Sequence, residues 1–178
     1  MLIKTIFSGF GGQGVIMMGY LLAMAGMYDE KNVTCLPSYG AEVRGGTANC
    51  TVVISTEEIA SPVASEPEFA VLMNNPAFLL YQNQVQSGGT IFLNSSMIES
   101  IPIRGDLEIF QIPINDLAKS LHEDRVANMV MLGAFIRKSA VISLETMNRA
   151  VKDAFTNKNP SILKLNRQAL LLGYDYLE

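Results

Sequence analysis

The sequence predicts a single α/β domain of three layers, in which helices cover both faces of a mostly parallel sheet. Short β-branched segments alternate with apolar helical segments, which is the order expected of parallel strands joined by helices. A Rossmann-like glycine loop follows the first predicted strand, and the last third of the chain predicts a helical C-terminus. Because no repeat, linker or shift of composition divides the chain, we expect residues 1–178 to form one domain.

The first predicted elements are a strand over residues 2–7 and an apolar helix over residues 13–27. Between them lies the segment Ser8-Gly9-Phe10-Gly11-Gly12-Gln13-Gly14. Glycine permits positive φ angles in such a turn and lets backbone N–H groups approach a ligand closely. The start of the following helix adds free N–H groups and the positive end of the helix dipole, which favour an anion. We therefore expect an anion site formed by Gly11, Gly12, Gln13 and Gly14.

Other interpretations of this loop have less support. Gly9, Gly11 and Gly14 match the spacing of the dinucleotide-binding fingerprint, but no carboxylate ends the predicted second strand, residues 32–36, to hold a ribose. A Walker A loop is excluded because neither Lys-Ser nor Lys-Thr follows Gly14. A structural alternative, in which the glycines only form a tight strand-to-helix turn, stays open.

Further strands and helices follow in order along the chain. Strands are predicted at residues 47–55, 69–73, 90–93 and 107–112, and the first of these carries a β-branched run typical of a strand covered on both faces. Asn75 and Pro76 predict the cap and first position of a helix that extends to about residue 84. The remaining predicted helices occupy residues 115–121, 126–138, 143–155 and 160–172, the last one capped by Asn159 and ended by Gly173.

Composition narrows the class of protein. The formal net charge is −4, and no cluster of basic residues with interleaved aromatic residues is present, so we expect no nucleic-acid partner. Apolar runs stop short of the roughly 20 residues that a membrane span requires. The chain moves from Met1 directly into a strand, so we expect no signal peptide, no membrane partner and a cytoplasmic protein.

The two cysteines and the single histidine predict no metal site. Cys35 and Cys50 lie far apart in the sequence, in apolar strand-like settings, and are interpreted as two buried structural thiols. They form no C-x-x-C pattern, which argues against zinc or an iron–sulfur cluster within this chain. His122 lies in a polar stretch that predicts a helix end or loop, and we assign it no catalytic role.

A second loop, residues 37–46, follows the second predicted strand and should lie beside the glycine loop at the carboxyl edge of the sheet, where α/β folds bind ligands. Arg44, followed by Gly45 and Gly46, resembles a phosphate clamp that combines a guanidinium with free backbone N–H groups. Glu42 lies two residues before Arg44, so both side chains would share a side of an extended segment, and Glu42 would orient Arg44. The alternative is that Glu42 and Arg44 form a structural or subunit-interface ion pair.

The two loops together carry a family resemblance. The run G-F-G-G-Q-G-V followed by P-S-Y-G-A-E-V-R-G-G-T-A-N-C-T-V-V-I-S resembles the gamma subunit of 2-oxoacid:ferredoxin oxidoreductases, equivalent to domain III of the single-chain pyruvate enzyme. Gly88-Gly89 with Asn94-Ser95-Ser96, and the segment from Asn128 to Ala134, extend the resemblance over nearly the whole chain. The form E-x-R-G-G-T-A-N is similar to the 2-oxoglutarate and branched-chain branches, whereas the pyruvate branch more often ends this motif differently.

The resemblance implies an enzyme complex that oxidatively decarboxylates a 2-oxoacid, forms an acyl-coenzyme A and passes two electrons to ferredoxin. Thiamine diphosphate and iron–sulfur clusters would belong to companion alpha, beta and ferredoxin-like delta subunits. This chain would help to enclose coenzyme A, its phosphates bound by N–H groups of Gly11 to Gly14 and by Arg44. In this hypothesis Gln13 and Asn49 hydrogen-bond the nucleotide or a partner subunit, and Tyr39 packs against either. No catalytic residue is expected here.

Three alternatives follow from the same residues. In the first, the chain is a purely structural subunit whose two loops contact the thiamine-binding subunits. In the second, it is an independent nucleotide-binding oxidoreductase, which the missing acid after the second strand disfavours. The third is a relative that acts on aryl pyruvates. The sequence leaves open whether the isolated chain self-associates, although an exposed partner surface would be compatible with a homodimer.

Overall fold

The computed structural model describes residues 1–40, 46–100 and 103–177. The strands in these ranges are β1 (Leu2–Phe10), β2 (Asn32–Tyr39), β3 (Thr47–Ser55), β4 (Phe69–Leu72), β5 (Thr90–Asn94) and β6 (Glu108–Ile112). The α-helices are α1 (Val15–Tyr28), α2 (Asn75–Tyr81), α3 (Ile114–Ser120), α4 (Ala127–Ser139), α5 (Leu144–Ala154) and α6 (Pro160–Tyr176), with a 3-10 turn at Asp124–Val126.

The strands form one sheet in the order β2-β3-β1-β4-β5-β6. Strands β4, β5 and β6 continue parallel from β1, whereas β3 runs antiparallel to both β1 and β2. Five strands therefore point in one direction, which confirms the mostly parallel sheet. The exception is β3, because the connection from β2 is too short for a crossover and forms a hairpin instead.

Helices cover both faces of the sheet unequally. The larger core joins α1, α3, α4, α5 and α6 to one face, and the smaller core joins α2 to the other. Phe135 of α4 lies at the centre of the larger core, with its ring 5.6 Å from Phe7, 5.6 Å from Phe69 and 5.3 Å from Phe92. These three edge-to-face contacts fix α4 across the middle of the sheet.

The helix α2 begins one residue earlier than predicted. Asn74, not Asn75, is its N-cap: the Asn74 backbone is extended and its Oδ1 accepts a hydrogen bond of 2.9 Å from the Ala77 backbone N–H. Pro76 therefore occupies the second helical position, and the helix ends at Tyr81 rather than near residue 84. Strand β2 is longer than the predicted strand over residues 32–36, because Pro37, Ser38 and Tyr39 continue to pair with β3. Proline is tolerated there because β2 is an edge strand.

The prediction that Gly173 ends the last helix is wrong. Helix α6 continues to Tyr176, and Gly173 lies inside it against the backbone of Val130 in α4. Gly133 of α4 makes the reciprocal contact with the backbone of Leu170 in α6. The two glycines let these helices cross with their backbones in contact, so close packing rather than termination explains them.

Within the described ranges, no helix combines the length and the apolar character needed to cross a bilayer.

Candidate ligand site at the carboxyl edge of the sheet

The glycine loop and the start of β3 meet at the carboxyl edge of the sheet. The Gly11 N–H donates a 2.9 Å hydrogen bond to the Gly46 carbonyl oxygen, and the Gly40 N–H donates one of 2.7 Å to the Thr47 carbonyl oxygen. The predicted proximity of the two loops is confirmed by the first of these contacts. Glu42, Arg44 and Gly45 lie outside the described residues.

The backbone of the glycine loop is only partly available to a ligand. Gly12 and Gly14 have φ angles of 99° and 75°, which favour glycine. The Gln13 N–H donates a hydrogen bond of 3.1 Å to the Phe10 carbonyl oxygen, so the backbone N–H of Gln13, like that of Gly11, already has an acceptor within the chain. The N–H groups of Gly12 and Gly14 have no acceptor among the described residues. Of the loop N–H groups predicted to bind an anion, those of Gly12 and Gly14 are therefore left without a partner among the described residues, and the anion site stays a prediction.

The helix α1 begins at Val15, two residues later than predicted, with Gly14 as its cap. Its first internal hydrogen bond runs from the Met18 N–H to the Gly14 carbonyl oxygen at 3.0 Å. The N–H groups of Val15, Ile16 and Met17 therefore lack intrahelical acceptors, as at any helix start. They face the same edge and place the positive end of the α1 dipole there.

The Gln13 side chain braces the loop. Its Oε1 accepts hydrogen bonds of 2.7 Å from the Phe10 N–H and 2.8 Å from Asn74 Nδ2, while its Nε2 lies 3.4 Å from the Met73 carbonyl oxygen. Both ends of the amide thus have partners within the chain. A direct bond from Gln13 to a nucleotide would replace one of these contacts, so the structure favours a bracing role over a ligand-binding one.

Further amides lie behind Gln13. Asn94 is fully buried, and its Nδ2 donates hydrogen bonds of 3.1 Å to the Met73 carbonyl oxygen and 2.8 Å to Asn115 Oδ1. Its own Oδ1 accepts from the Ser96 N–H at 3.2 Å. We call Gln13, Asn74, Asn94 and Asn115 the amide cluster. Its members follow or end β1, β4, β5 and β6, and the sequence signal for them is an amide residue at the end of each strand.

A cleft of about 200 Å³ opens beside this cluster. It is lined by Gly12, Gln13, Met73, Asn115, Asp124, Arg125, Ala127 and Asn128. Pockets that enclose a whole small molecule measure roughly 300–1,000 Å³, so this cleft admits only part of a large ligand such as a nucleotide.

The charge of the described lining is balanced. Arg125 and Asp124 both line the cleft, and the Arg125 guanidinium lies 2.6 Å from the Glu123 carboxylate. Hydrogen bonding to Arg125 lowers the pKa of Glu123 to about 2, so this carboxylate stays ionised at neutral pH. The described side chains therefore supply no excess of positive charge, and an anion would depend on backbone N–H groups and on a cation from elsewhere.

Tyr39 and Asn49 lie on opposite faces of the hairpin. Tyr39 pairs with Ala48 on the face that carries α1, and it is exposed at the end of β2. Asn49 is partly buried and pairs with Ser8 and Ser38, one residue out of phase with Ala48, so it lies on the α2 side. Neither residue lines the cleft beside Gly12.

The interpretation of the cysteines as two buried thiols is confirmed for Cys50 and wrong for Cys35. Because β2 and β3 form a hairpin, Cys35 Sγ lies 3.4 Å from Cys50 Sγ, and Cys35 is exposed. His122 follows α3 in a turn with a φ angle of 57°, in agreement with the predicted loop.

A larger open depression of about 640 Å³ lies at the opposite, amino edge of the sheet. Arg104 lines it, but its guanidinium is bound to the Asp106 carboxylate at 2.6 Å and to the Val85 carbonyl oxygen at 2.7 Å. These contacts fasten the segment before β6, and we assign no ligand to this depression.

Comparisons with known proteins identify the family to which this chain is similar. The model of the pyruvate ferredoxin/flavodoxin oxidoreductase family matches residues 4–176. The 2-oxoglutarate synthase subunit KorC of Methanocaldococcus jannaschii is 35% identical over 150 residues, covering 83% of this chain and 80% of that protein. The ketoisovalerate oxidoreductase subunit VorA of Methanothermobacter marburgensis is 31% identical over 175 residues, covering 98% of this chain but 36% of that protein.

Two solved structures share the fold. The gamma subunit of the keto/oxoacid ferredoxin oxidoreductase from Geobacter sulfurreducens PCA superimposes with a TM-score of 0.83, at 28% identity and 98% coverage of both chains. The 2-oxoglutarate:ferredoxin oxidoreductase from Magnetococcus marinus gives a TM-score of 0.90 at 24% identity, and covers 99% of this chain and 31% of that one. With the fold and the sequence match in agreement from end to end, this chain belongs to the pyruvate ferredoxin/flavodoxin oxidoreductase family.

Proposed function

We propose that this chain is the gamma-type subunit of a 2-oxoacid:ferredoxin oxidoreductase complex that acts on 2-oxoglutarate or a branched-chain 2-oxoacid. The family match over residues 4–176 carries the proposal. The substrate branch is supported by two proteins of one organism, Methanocaldococcus jannaschii. Its 2-oxoglutarate synthase subunit KorC is 35% identical to this chain, whereas its pyruvate synthase subunit PorC is 26% identical.

In this proposal the complex converts a 2-oxoacid and coenzyme A to carbon dioxide and an acyl-coenzyme A, and passes two electrons to ferredoxin. The alpha, beta and ferredoxin-like delta subunits carry thiamine diphosphate and the iron–sulfur clusters. The chain has two cysteines in total, fewer than the four thiolates that usually hold a cluster. We place the complex in the cytoplasm.

The contribution of this subunit is to position coenzyme A. The solved 2-oxoglutarate:ferredoxin oxidoreductase of Magnetococcus marinus has coenzyme A and succinyl-coenzyme A bound. The free N–H groups of Gly12, Gly14 and the start of α1 suit one phosphate group of such a ligand. Because the cleft of about 200 Å³ is too small for the whole molecule, a partner subunit completes the site. Holding the thiol beside the partner's reaction centre raises its effective concentration.

Arg44 supplies the missing cation. The described lining of the cleft carries Arg125 balanced by acidic neighbours, so it gives no net attraction for phosphate. Arg44 with Gly45 and Gly46 follows Gly40 on the connection to β3, and the Gly46 carbonyl oxygen touches the glycine loop. A guanidinium at this point would add charge-assisted bonds to the backbone donors of Gly12 and Gly14.

The first test is affinity purification of the tagged chain from its native host under anaerobic conditions. We expect companion subunits to co-purify, with coenzyme A-dependent reduction of ferredoxin or a viologen dye by one 2-oxoacid. The eluate is assayed with 2-oxoglutarate, branched-chain 2-oxoacids, aryl pyruvates and pyruvate in parallel. A chain recovered alone and inactive with every acid would contradict the proposal.

The second test is Arg44→Ala in the assembled complex, with Arg167→Ala on the exposed face of α6 as the matched control. Loss of a charge-assisted phosphate contact should raise the KM for coenzyme A about tenfold, which corresponds to ~1.4 kcal/mol. The KM for the 2-oxoacid should stay unchanged in both variants. An unchanged KM for coenzyme A in an intact complex would remove Arg44 from the site.

A purely structural subunit is the second candidate function. Exposed apolar side chains on α1 and β2 favour it, since Tyr20 and Met27 of α1 and Tyr39 of β2 are 54%, 65% and 68% exposed. Such a surface suits a companion subunit or a second copy in the isolated chain. In that case Arg44→Ala would weaken recovery of the complex without a selective effect on coenzyme A. Independent NAD or FAD binding has no support, because β2 contains no carboxylate to hold a ribose.

A further inference from the structure

Cys35 and Cys50 form a pair of contacting thiols on the hairpin of β2 and β3. Their Sγ atoms lie 3.4 Å apart, and neither residue lines the carboxyl-edge cleft. Cys50 is buried beneath α1, where its side chain packs against Gly19, whereas Cys35 is exposed. One reachable sulfur in contact with one shielded sulfur is the usual arrangement of a redox-active cysteine beside a resolving cysteine.

The exposed sulfur is the more readily ionised of the two. A hydrogen bond from the Cys50 thiol lowers the pKa of Cys35 to about 7. The same contact and burial raise the pKa of Cys50. The other titratable groups that line the groove beside Cys35 are the hydroxyls of Tyr20 and Tyr28 on α1. A hydrogen bond to Asp153 raises the pKa of Tyr28, so this phenol is neutral where Cys35 titrates.

A small oxidant has access to Cys35. This residue lies in a groove of about 360 Å³ between α1 and β2. The groove is lined by Tyr20, Ala23, Met24, Met27, Tyr28, Val33 and Cys35. A metal site is a poorer use of the two sulfurs, because the described residues contain no group of three or more His, Cys, Asp or Glu side chains placed to hold an ion.

We propose that Cys35 and Cys50 are a hydroperoxide-reactive dithiol site that closes reversibly to an intrachain disulfide. The Cys35 thiolate attacks one oxygen of hydrogen peroxide, the O–O bond breaks, and Cys35 becomes a sulfenic acid while the leaving hydroxide takes a proton and departs as water. The Cys50 sulfur then attacks Cys35 Sγ, displacing the sulfenic hydroxyl, which leaves as a second water with the Cys50 proton. The two thiols lose two electrons in total, and the peroxide gains them.

The hairpin permits the approach that this bond requires. A disulfide measures about 2.05 Å, so the sulfurs must approach by about 1.4 Å from their separation of 3.4 Å. Cys35 pairs with Val52, and Cys50 with Pro37, so the two cysteines are diagonal neighbours and β2 must move with the sulfur. Only β3 pairs with β2 among the described strands, and most β2 residues are exposed, so a shift of this edge strand disturbs no strand pairing other than that with β3.

The test uses the full-length reduced chain with one equivalent of hydrogen peroxide at neutral pH. Since the chain contains only these two cysteines, alkylation in denaturant counts both thiols without ambiguity. We expect both to become unreactive together, with a mass loss of two hydrogens per chain, and a dithiol reductant to restore both. Peptide mapping without reduction should join the Cys35 and Cys50 peptides within one chain.

Variants separate the two steps. Cys50→Ser keeps a hydroxyl donor and removes the resolving sulfur, so Cys35 should accumulate as a sulfenic acid that dimedone traps. Cys50→Ala also removes the donor, and at pH 7 a return of Cys35 to an ordinary pKa near 8.5 should slow trapping by roughly fifteenfold. Cys35→Ser should leave Cys50 unmodified, and because position 35 is exposed this variant should fold normally.

Specific results would overturn the proposal. Oxidation of Cys35 with Cys50 still fully alkylatable after denaturation would show that no resolution occurs. A disulfide found only between two chains would assign Cys35 to an intermolecular contact instead. Equal trapping rates in Cys50→Ser and Cys50→Ala would remove the Cys50 donor from the mechanism. None of these results depends on the proposed enzyme complex, which the activity assays test separately.

Discussion

Gln13 is the residue on which the geometry of the glycine loop depends. Its amide joins the end of β1 to Asn74 before α2 and to the Met73 carbonyl oxygen after β4. A loop of glycines has a large conformational entropy to lose on folding, so a side chain that fastens it from below has a disproportionate effect. This brace holds the segment that carries the N–H groups of Gly12 and Gly14.

Gln13→Ala should therefore destabilise the chain by about 1–3 kcal/mol, because the Phe10 N–H and Asn74 Nδ2 lose their acceptor in a partly buried setting. Urea unfolding measures the change, and Gln168→Ala on the exposed side of α6 is the control, with an expected change within about 0.5 kcal/mol. If the free energy of unfolding were unchanged and only coenzyme A affinity fell, Gln13 would be a ligand residue rather than a brace.

The sequence indicates some of these residues and not others. The glycine spacing places the loop after the first strand because few other residues adopt the φ angles of Gly12 and Gly14. Nothing in the sequence reveals that Asn94 and Asn115 bond to each other, since that contact depends on the neighbouring positions of β5 and β6. Likewise the contact between Cys35 and Cys50 exists only once β2 pairs with β3.

Among the strands and helices, β3 departs most from the predicted fold, because it runs antiparallel to both of its neighbours. Residues 47–55 predict a strand, and the strand is present, but its direction depends on the length of the preceding connection. Because β2 extends through Pro37 to Tyr39, only a short segment remains before Thr47, and a hairpin is the connection that such a segment permits. A proline normally argues against a strand, which is why the extension was not predicted.

The crossing of α4 and α6 gives a sharper prediction at this scale. A Cβ atom at Gly133 would strike the Leu170 carbonyl oxygen, and one at Gly173 would strike the Val130 carbonyl oxygen. Neither obstacle moves by changing a rotamer, so Gly133→Ala and Gly173→Ala should each cost about 3 kcal/mol, at the upper end of overpacking effects. Gly105→Ala is the control, because its Cβ would meet nothing within 4 Å. Chemical denaturation of the three variants checks this, and three equal midpoints would show that the helices separate readily.

The whole molecule consists of two cores on either side of one sheet. The strands β1, β4 and β5 contribute alternate residues to both: Phe7, Val71 and Phe92 to the larger core, and Ile6, Leu72 and Ile91 to the smaller one. Loss of either core would expose one face of these buried strands to water. Because each face stabilises the strands that hold the other, residues 1–178 should unfold as one cooperative unit.

Two thiol probes test this cooperativity from the two faces. Cys50, which is fully buried, reports the larger core in a Cys35→Ser chain, and Ala77→Cys reports the smaller core in a chain whose native cysteines are serine. Ala77 lies in α2, is 4% exposed and packs in the smaller core, so a thiol at this position should be shielded until the smaller core opens. We expect the two thiols to become alkylatable at the same urea concentration, after correction for each variant's own stability, and to follow the loss of helical circular dichroism. If the Ala77→Cys thiol alone became alkylatable at a lower urea concentration, α2 and the smaller core would open independently. The larger core, which five helices cover, would then stay folded after the smaller core, which α2 covers, had opened.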